Sequence, residues 1–203
     1  MMESSILQDV SRETISRLRS FEQLAQKWTK KINLVSANDA PQIWERHILD
    51  SVQIYQLAPV AGDWLDIGSG GGFPGLVAAI IAKEKSPERS FVLVDSDQRK
   101  CAFLRTVSRE LDLNVKVFAE RVEKMEPMQV DVLSARAMDD LTGLLHHMER
   151  HVNKGGTALF PKGIRWEQEH EIAQKEWSYQ LEVIKSETNP EATILKIKEL
   201  TRV

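Results

Sequence analysis

Apolar residues recur at steps of three and four through Ile15, Leu18, Phe21, Ala25, Trp28 and Ile32, which predicts one helix with Lys27, Lys30 and Lys31 near its end. A second helix is predicted from about Pro41 to Tyr55. Its buried face would hold Ile43, Trp44, Ile48, Val52 and Tyr55, with Asp39 as its cap and Asn33–Ser36 as the intervening loop. From Trp64 the pattern changes to short β-type runs alternating with amphipathic stretches. The runs are Trp64–Ile67, Phe91–Val94, Val115–Phe118, Val130–Leu133 and Thr157–Phe160. Such alternation implies right-handed crossovers and a parallel sheet with helices on both faces. The end of the chain differs: a helix from about Trp166 to Trp177 precedes Tyr179–Ile184 and Ala192–Ile197. The turn-rich Lys185–Glu191 link between those strands suits an antiparallel pair. The expected architecture is therefore α/β, with a mostly parallel seven-stranded sheet, an antiparallel carboxyl-terminal pair and an amino-terminal helical extension. One domain is expected, residues 1–58 forming the extension and 59–203 a Rossmann-like core.

Bulk properties narrow this picture little. The 203 residues, 42% hydrophobic and 28% charged, suit an ordinary globular domain. The longest apolar run, Leu76–Ala82, is too short to cross a bilayer, and the amino terminus has no basic segment followed by an apolar one. A cytoplasmic protein is expected, with no membrane partner and no evident obligate protein partner. The single cysteine, Cys101, excludes an internal disulfide framework and a Cys-rich zinc site. A net charge of −3 lends no support to nucleic-acid binding, so an RNA partner would need locally gathered basic residues.

Candidate chemistry begins at Trp64-Leu65-Asp66-Ile67-Gly68-Ser69-Gly70-Gly71-Gly72-Phe73-Pro74-Gly75, an apolar strand followed by a turn almost free of side chains and a helix start. Gly68, Gly70 and Gly72 permit positive φ angles and a close approach of ligand to backbone. A dinucleotide fingerprint would need glycine at 73, where Phe73 stands, and Pro74 removes a donor that a pyrophosphate would use. The spacing favours S-adenosylmethionine, whose amino and sulfonium groups Asp66 would complement. A glycine-rich turn with no ligand is the plainer alternative.

Ligands of open α/β sheets bind beyond the carboxyl ends of the strands, which draws attention to Asp95, Ala119–Glu123, Ser134–Ala137 and Phe160–Gly163. Asp95 is placed to accept both hydroxyls of an adenosine ribose, while Asp97 is expected to cap the following helix. Cys101 lies one turn inside that helix, and a buried packing role is expected of it. The stretch Ser134-Ala135-Arg136-Ala137 lacks the Asn/Asp-Pro-Pro-aromatic turn of enzymes that methylate exocyclic amines. A ring nitrogen such as guanine N7 needs no proton removed, so alignment and electrostatics would suffice. Arg136 and Lys162 are the candidate orienting groups, suited to phosphate or guanine O6, with a merely surface or ion-paired role as the plainer alternative. His146, His147 and His151 are expected on a solvated helix face, with no metal bound.

Several of these segments together resemble the bacterial small-subunit ribosomal RNA methyltransferase G family, also called glucose-inhibited division protein B. They are Lys27-Trp28 with Ile32-Asn33-Leu34, Arg46-His47-Ile48-Leu49-Asp50-Ser51, Gly68–Gly75, Leu93–Ser96, Arg121-Val122-Glu123, Ser134–Ala137 and Lys162-Gly163. The resemblance runs from about residue 20 to the end. It implies a class I S-adenosylmethionine-dependent methyltransferase acting on N7 of guanine 527 in 16S rRNA, within the small ribosomal subunit or an assembly intermediate. It also implies cofactor contacts at Gly68, Phe73, Val122, Glu123 and Arg136, alongside Asp66, Gly70, Gly72 and Asp95 from the residues themselves. Asn33, His47, Arg121 and Lys162 match polar positions expected to shape the RNA side. A small-molecule methyltransferase and a non-catalytic RNA-binding module are the alternatives.

Overall fold

A computed structural model describes residues 5–203. The first long helix, α1 (Arg12–Thr29), starts where the Ser11 hydroxyl accepts from the Thr14 amide at 3.1 Å, and it ends before Ile32. The expected second helix is broken into three pieces: a 3-10 turn at Ala40–Gln42, a π turn at Trp44–Ile48 and α2 (Leu49–Leu57). A π turn carries one extra residue per turn, an irregularity that hydrophobic spacing does not register. Asp39 makes no capping bond. Its carboxylate instead accepts from the Ser36 hydroxyl at 2.6 Å and faces Arg46 at 3.3 Å.

The core alternates as expected: β1 (Trp64–Ile67), α3 (Gly75–Lys85), β2 (Phe91–Val94), α4 (Gln98–Glu110), β3 (Val115–Phe118) and β4 (Val130–Ala135). It continues through α5 (Leu141–His151), β5 (Val152–Lys162), α6 (Trp166–Ala173), β6 (Trp177–Lys185) and β7 (Thr193–Arg202). The strands form one seven-stranded sheet in the order β3-β2-β1-β4-β5-β7-β6. The pairs β1–β2, β1–β4, β2–β3 and β4–β5 are parallel, and β7 runs antiparallel to both β5 and β6. The last three strands extend beyond their expected bounds, and Trp177 opens β6 where a helix end was expected.

Successive strand residues face opposite layers. Trp64, Phe91, Leu93, Val132 and Leu159 face a cluster that includes Leu18, Phe21 and Ala25 of α1, Ile54 of α2, and Phe103 and Val107 of α4. Leu65, Ile67, Val92, Val94 and Leu133 face Leu141, Leu144 and Met148 of α5 and Ala173 of α6. Residues Gly75–Ala82 of α3 are all buried, because the amino-terminal helices cover the side of α3 turned away from the sheet. The extension is thus part of the core packing.

Arg89, 3% exposed, closes the loop before β1 by donating to the carbonyls of Pro59, Ala61 and Gly62 at 2.7–2.8 Å. Charge-assisted bonds to carbonyls contribute more than neutral ones, and truncation at Arg89 removes all three and the buried packing of its side chain. Arg89→Ala is expected to lower stability by about 3 kcal/mol, read as a lower urea midpoint; an unchanged midpoint would contradict this anchoring.

Candidate functional site: a cleft at the carboxyl edge of the sheet

Parallel pairing brings the ends of β1 to β4 to one edge, where they surround a cleft of about 360 Å³. Gly68, Val94, Asp95 and Ser96 form one side, Glu120–Glu123 a second, and Met138 with Asp139 a third. Gly68 has φ +64°, and a Cβ there would come within 3.1 Å of Met138. The Gly70 amide donates to Asp95 Oδ2 at 2.8 Å, tying the glycine turn to the end of β2. Asp95 Oδ1 accepts from the Asp97 amide at 2.8 Å. Each oxygen of that carboxylate retains a lone pair for a ligand hydroxyl. Asp97 caps α4 through the amides of Arg99 and Lys100, as expected, and Cys101 is buried with its thiol toward the carbonyl of Asp95.

Asp95, Glu120, Glu123 and Asp139 line this cleft against the single cation Arg121. A pyrophosphate would meet net negative charge there, whereas a ligand with cationic groups would be attracted. Gly68, Asp95, Val122 and Glu123, expected at the cofactor, are brought together as lining of this cleft. Arg121, expected on the RNA side, belongs to the cleft wall.

Other expected cofactor residues lie behind the turn. Gly72 backs onto Leu76. Asp66 is 1% exposed and shares the sheet face of Trp64. There the Trp64 indole donates to Ser134 Oγ at 2.8 Å, which donates to Asp66 Oδ1 at 2.5 Å; Asp66 Oδ2 has no hydrogen-bond partner. Burial pushes the Asp66 carboxyl up to about 6, against the Ser134 hydroxyl and the positive charge of Arg136. Phe73 is 3% exposed and packs between Phe21, at 5.2 Å, and His47, at 5.1 Å. The Arg136 guanidinium sits 5.3 Å from the Phe73 ring centre and donates from Nη1 to His47 Nδ1 at 2.8 Å. An arginine can only donate, so His47 accepts at Nδ1 and carries its proton on Nε2, which is buried without a partner. Burial, reinforced by Arg136, lowers the His47 pKa to about 4. Asp66, Phe73 and Arg136 thus form a packed layer behind the turn, and none of them lines the cleft.

A second cavity of about 500 Å³ opens between the end of α1 and the strap that follows it. Gln26, Lys30 and Asn33 give it polar groups, and Val35, Ala40 and Pro41 apolar walls. The strap presses on the turn: a Cβ at Gly71 would lie 3.1 Å from the Leu34 carbonyl oxygen. Lys162, expected as an orienting group on the RNA side, is drawn in toward Glu169 at 2.7 Å and the Asp139 carbonyl at 2.8 Å. The expected solvated face of histidines is also corrected. His147 and His151 continue the buried stripe of Leu141, Leu144 and Met148, leaving only His146 exposed near Glu176 at 3.3 Å. No group of three or more potential metal-binding side chains comes together among the described residues. Met138 and Asp139 were not foreseen, although both lie within four positions of the end of β4, whereas Glu120 belongs to the expected Ala119–Glu123 stretch.

The sheet order, the glycine turn and the nucleoside-sized cleft define a Rossmann-like methyltransferase. Residues 14–195 match the family described as rRNA small subunit methyltransferase G, and the chain belongs to that family of enzymes. It is 51% identical over 195 residues to the ribosomal RNA small subunit methyltransferase G of Ruegeria pomeroyi, covering 96% of each chain. To the protein of the same name from Granulibacter bethesdensis it is 47% identical, covering 96% of this chain and 89% of that one. In fold it is similar to a SAM-dependent methyltransferase from Aquifex aeolicus, with a TM-score of 0.61 at 15% identity, covering 79% of this chain and 94% of that chain.

The buried imidazoles make acid stability testable. His47 and His151 titrate near 4 in the folded chain against 6.5 for a free imidazole, so the unfolded chain binds more protons in that window. Stability therefore falls as pH drops from 6.5 to 4. Asp66, raised from 3.8 to about 6, acts in the opposite direction, against His47, His151 and His147, whose pKa burial also lowers. The melting temperature is expected to fall across this range in a calorimetric series, and His47→Gln should flatten the fall; an unaltered slope would refute a buried neutral imidazole.

Proposed function

We propose that the chain transfers a methyl group from S-adenosylmethionine to N7 of guanine 527 in 16S rRNA, acting in the cytoplasm on the small ribosomal subunit or an assembly intermediate. The observation that carries this reading is the acidic cleft, in which Asp95 is fixed by the Gly70 amide with acceptor capacity to spare. Asp95 accepts the ribose hydroxyls, Val122 and Glu123 border the adenine, and Gly68 and Gly70 leave room for the methionine portion. S-adenosylmethionine, when bound, supplies an activated methyl group.

The acceptor reading rests on what surrounds the end of β4. Guanine N7 has a free lone pair, so no side chain has to remove a proton, and Ser134–Ala137 offers no amine-binding turn. Arg136 is the orienting group, its remaining donors suited to O6 while N7 stays open for transfer. His47 and Phe73 hold that guanidinium from two sides. Lys27, Lys30 and Lys31 are exposed at the end of α1 and supply the local positive charge that the overall −3 lacks. With Asn33 they place the RNA strand over the second cavity and beside the turn.

Gly70→Val adds a side chain at φ +51°, beside Asp95. It is expected to weaken S-adenosylmethionine binding at least tenfold by calorimetry, and undiminished affinity would remove the cradle from this reading. Arg136→Lys keeps the charge but loses the planar fork. It is expected to lower kcat for 16S rRNA by about 10²-fold while changing the cofactor Kd less than threefold; the reverse pattern would move Arg136 to the cofactor side.

A further inference from the structure

Lys162 lies at the end of β5, where an exposed lysine would be read as a phosphate contact. Its surroundings oppose that reading. The side chain is only 10% exposed, and two of the three ammonium donors are engaged, with the Asp139 carbonyl at 2.8 Å and Glu169 Oε2 at 2.7 Å. Glu169, on α6, uses the same oxygen to accept from the Leu141 amide at 2.9 Å. A single ion pair therefore grips the chain at the carbonyl of residue 139 and again at the amide of residue 141.

The gripped segment is the third wall of the cofactor cleft. Between β4 and α5 the chain passes through Ala137 at φ +52°, a conformation that side-chain-bearing residues rarely adopt, and it has no ladder to hold it. Met138 nevertheless abuts Gly68, and Asp139 contributes a carboxylate to the lining. Irregular backbone of this kind keeps one position only when bonds from outside impose it.

We infer that Lys162 is a positioning residue for the cofactor cleft, acting with Glu169 through the Met138–Asp139 wall, and that it does not bind RNA directly. The inference rests on the proposed cofactor site. Losing either partner leaves the other partly buried and unpaired, so both losses should loosen the same wall.

The two roles predict opposite behaviour for Glu169. If Lys162 is a strut, Glu169→Gln and Lys162→Met both raise the S-adenosylmethionine Kd and KM about five- to tenfold. Both leave the 16S rRNA KM within twofold, and the double variant is no worse than either single one. If Lys162 is an RNA contact, Glu169→Gln frees its ammonium and tightens RNA binding with no change in cofactor affinity, and Lys162→Met weakens RNA alone. Either of those results would overturn the inference. So would a lowered melting temperature with equal weakening of both ligands, which would mark a general structural role. Calorimetry on the unmodified protein separates the two levels: if S-adenosylmethionine fails to bind there, the cofactor reading itself falls.

Discussion

Parallel strands cannot be joined by a tight hairpin, so every crossover from β1 to β5 must leave the sheet and return through a longer connection. That constraint sends the carboxyl ends of these strands to one edge, where their connections meet. All the groups assembled around the cleft, from Gly68 and Asp95 to Glu123 and Asp139, are residues just past a strand end. The bond from the Gly70 amide to Asp95 then locks the first two connections together, and Met138 against Gly68 closes the third side. Without the common direction of the strands none of these neighbours would meet.

The amino-terminal helices complete the arrangement from the other side. They bury Gly75–Ala82 of α3 and press Phe21 and His47 onto Phe73, so the glycine turn is held between two layers of fixed side chains. Arg136 is recessed in the same layer among the charges of Asp50, Asp66 and Asp39. A cation surrounded by acids it does not touch has donors available while its charge is balanced. On the proposed reading, that suits a neutral carbonyl such as O6.

Much of this was legible in the chain. Strand positions followed from short apolar runs, and the turn from glycine spacing, because both depend on local backbone preferences. The position of Asp95 at the cleft was legible because it directly follows the second strand, beside the glycine turn. What local pattern could not reveal was direction. Asp66 and Phe73 sit within the turn motif yet are buried and absent from the cleft lining, Phe73 being packed against Phe21. The π turn that aims His47 was hidden because its extra residue breaks the regular spacing. The pairing of Lys162 could not be read locally because its partner, Glu169, comes from a helix whose placement depends on the whole sheet.

The acidic lining of the cleft has a consequence for turnover on the proposed reading. A sulfonium ligand loses its positive charge at the moment the methyl group departs, while the side chains of Asp95, Glu120, Glu123 and Asp139 stay where they are. The attraction that favours entry is then weaker for what remains, by an amount set only by fixed charge and distance. The cleft would therefore distinguish a fresh ligand from a spent one without moving. That is a form of product release written into the electrostatics of the strand ends.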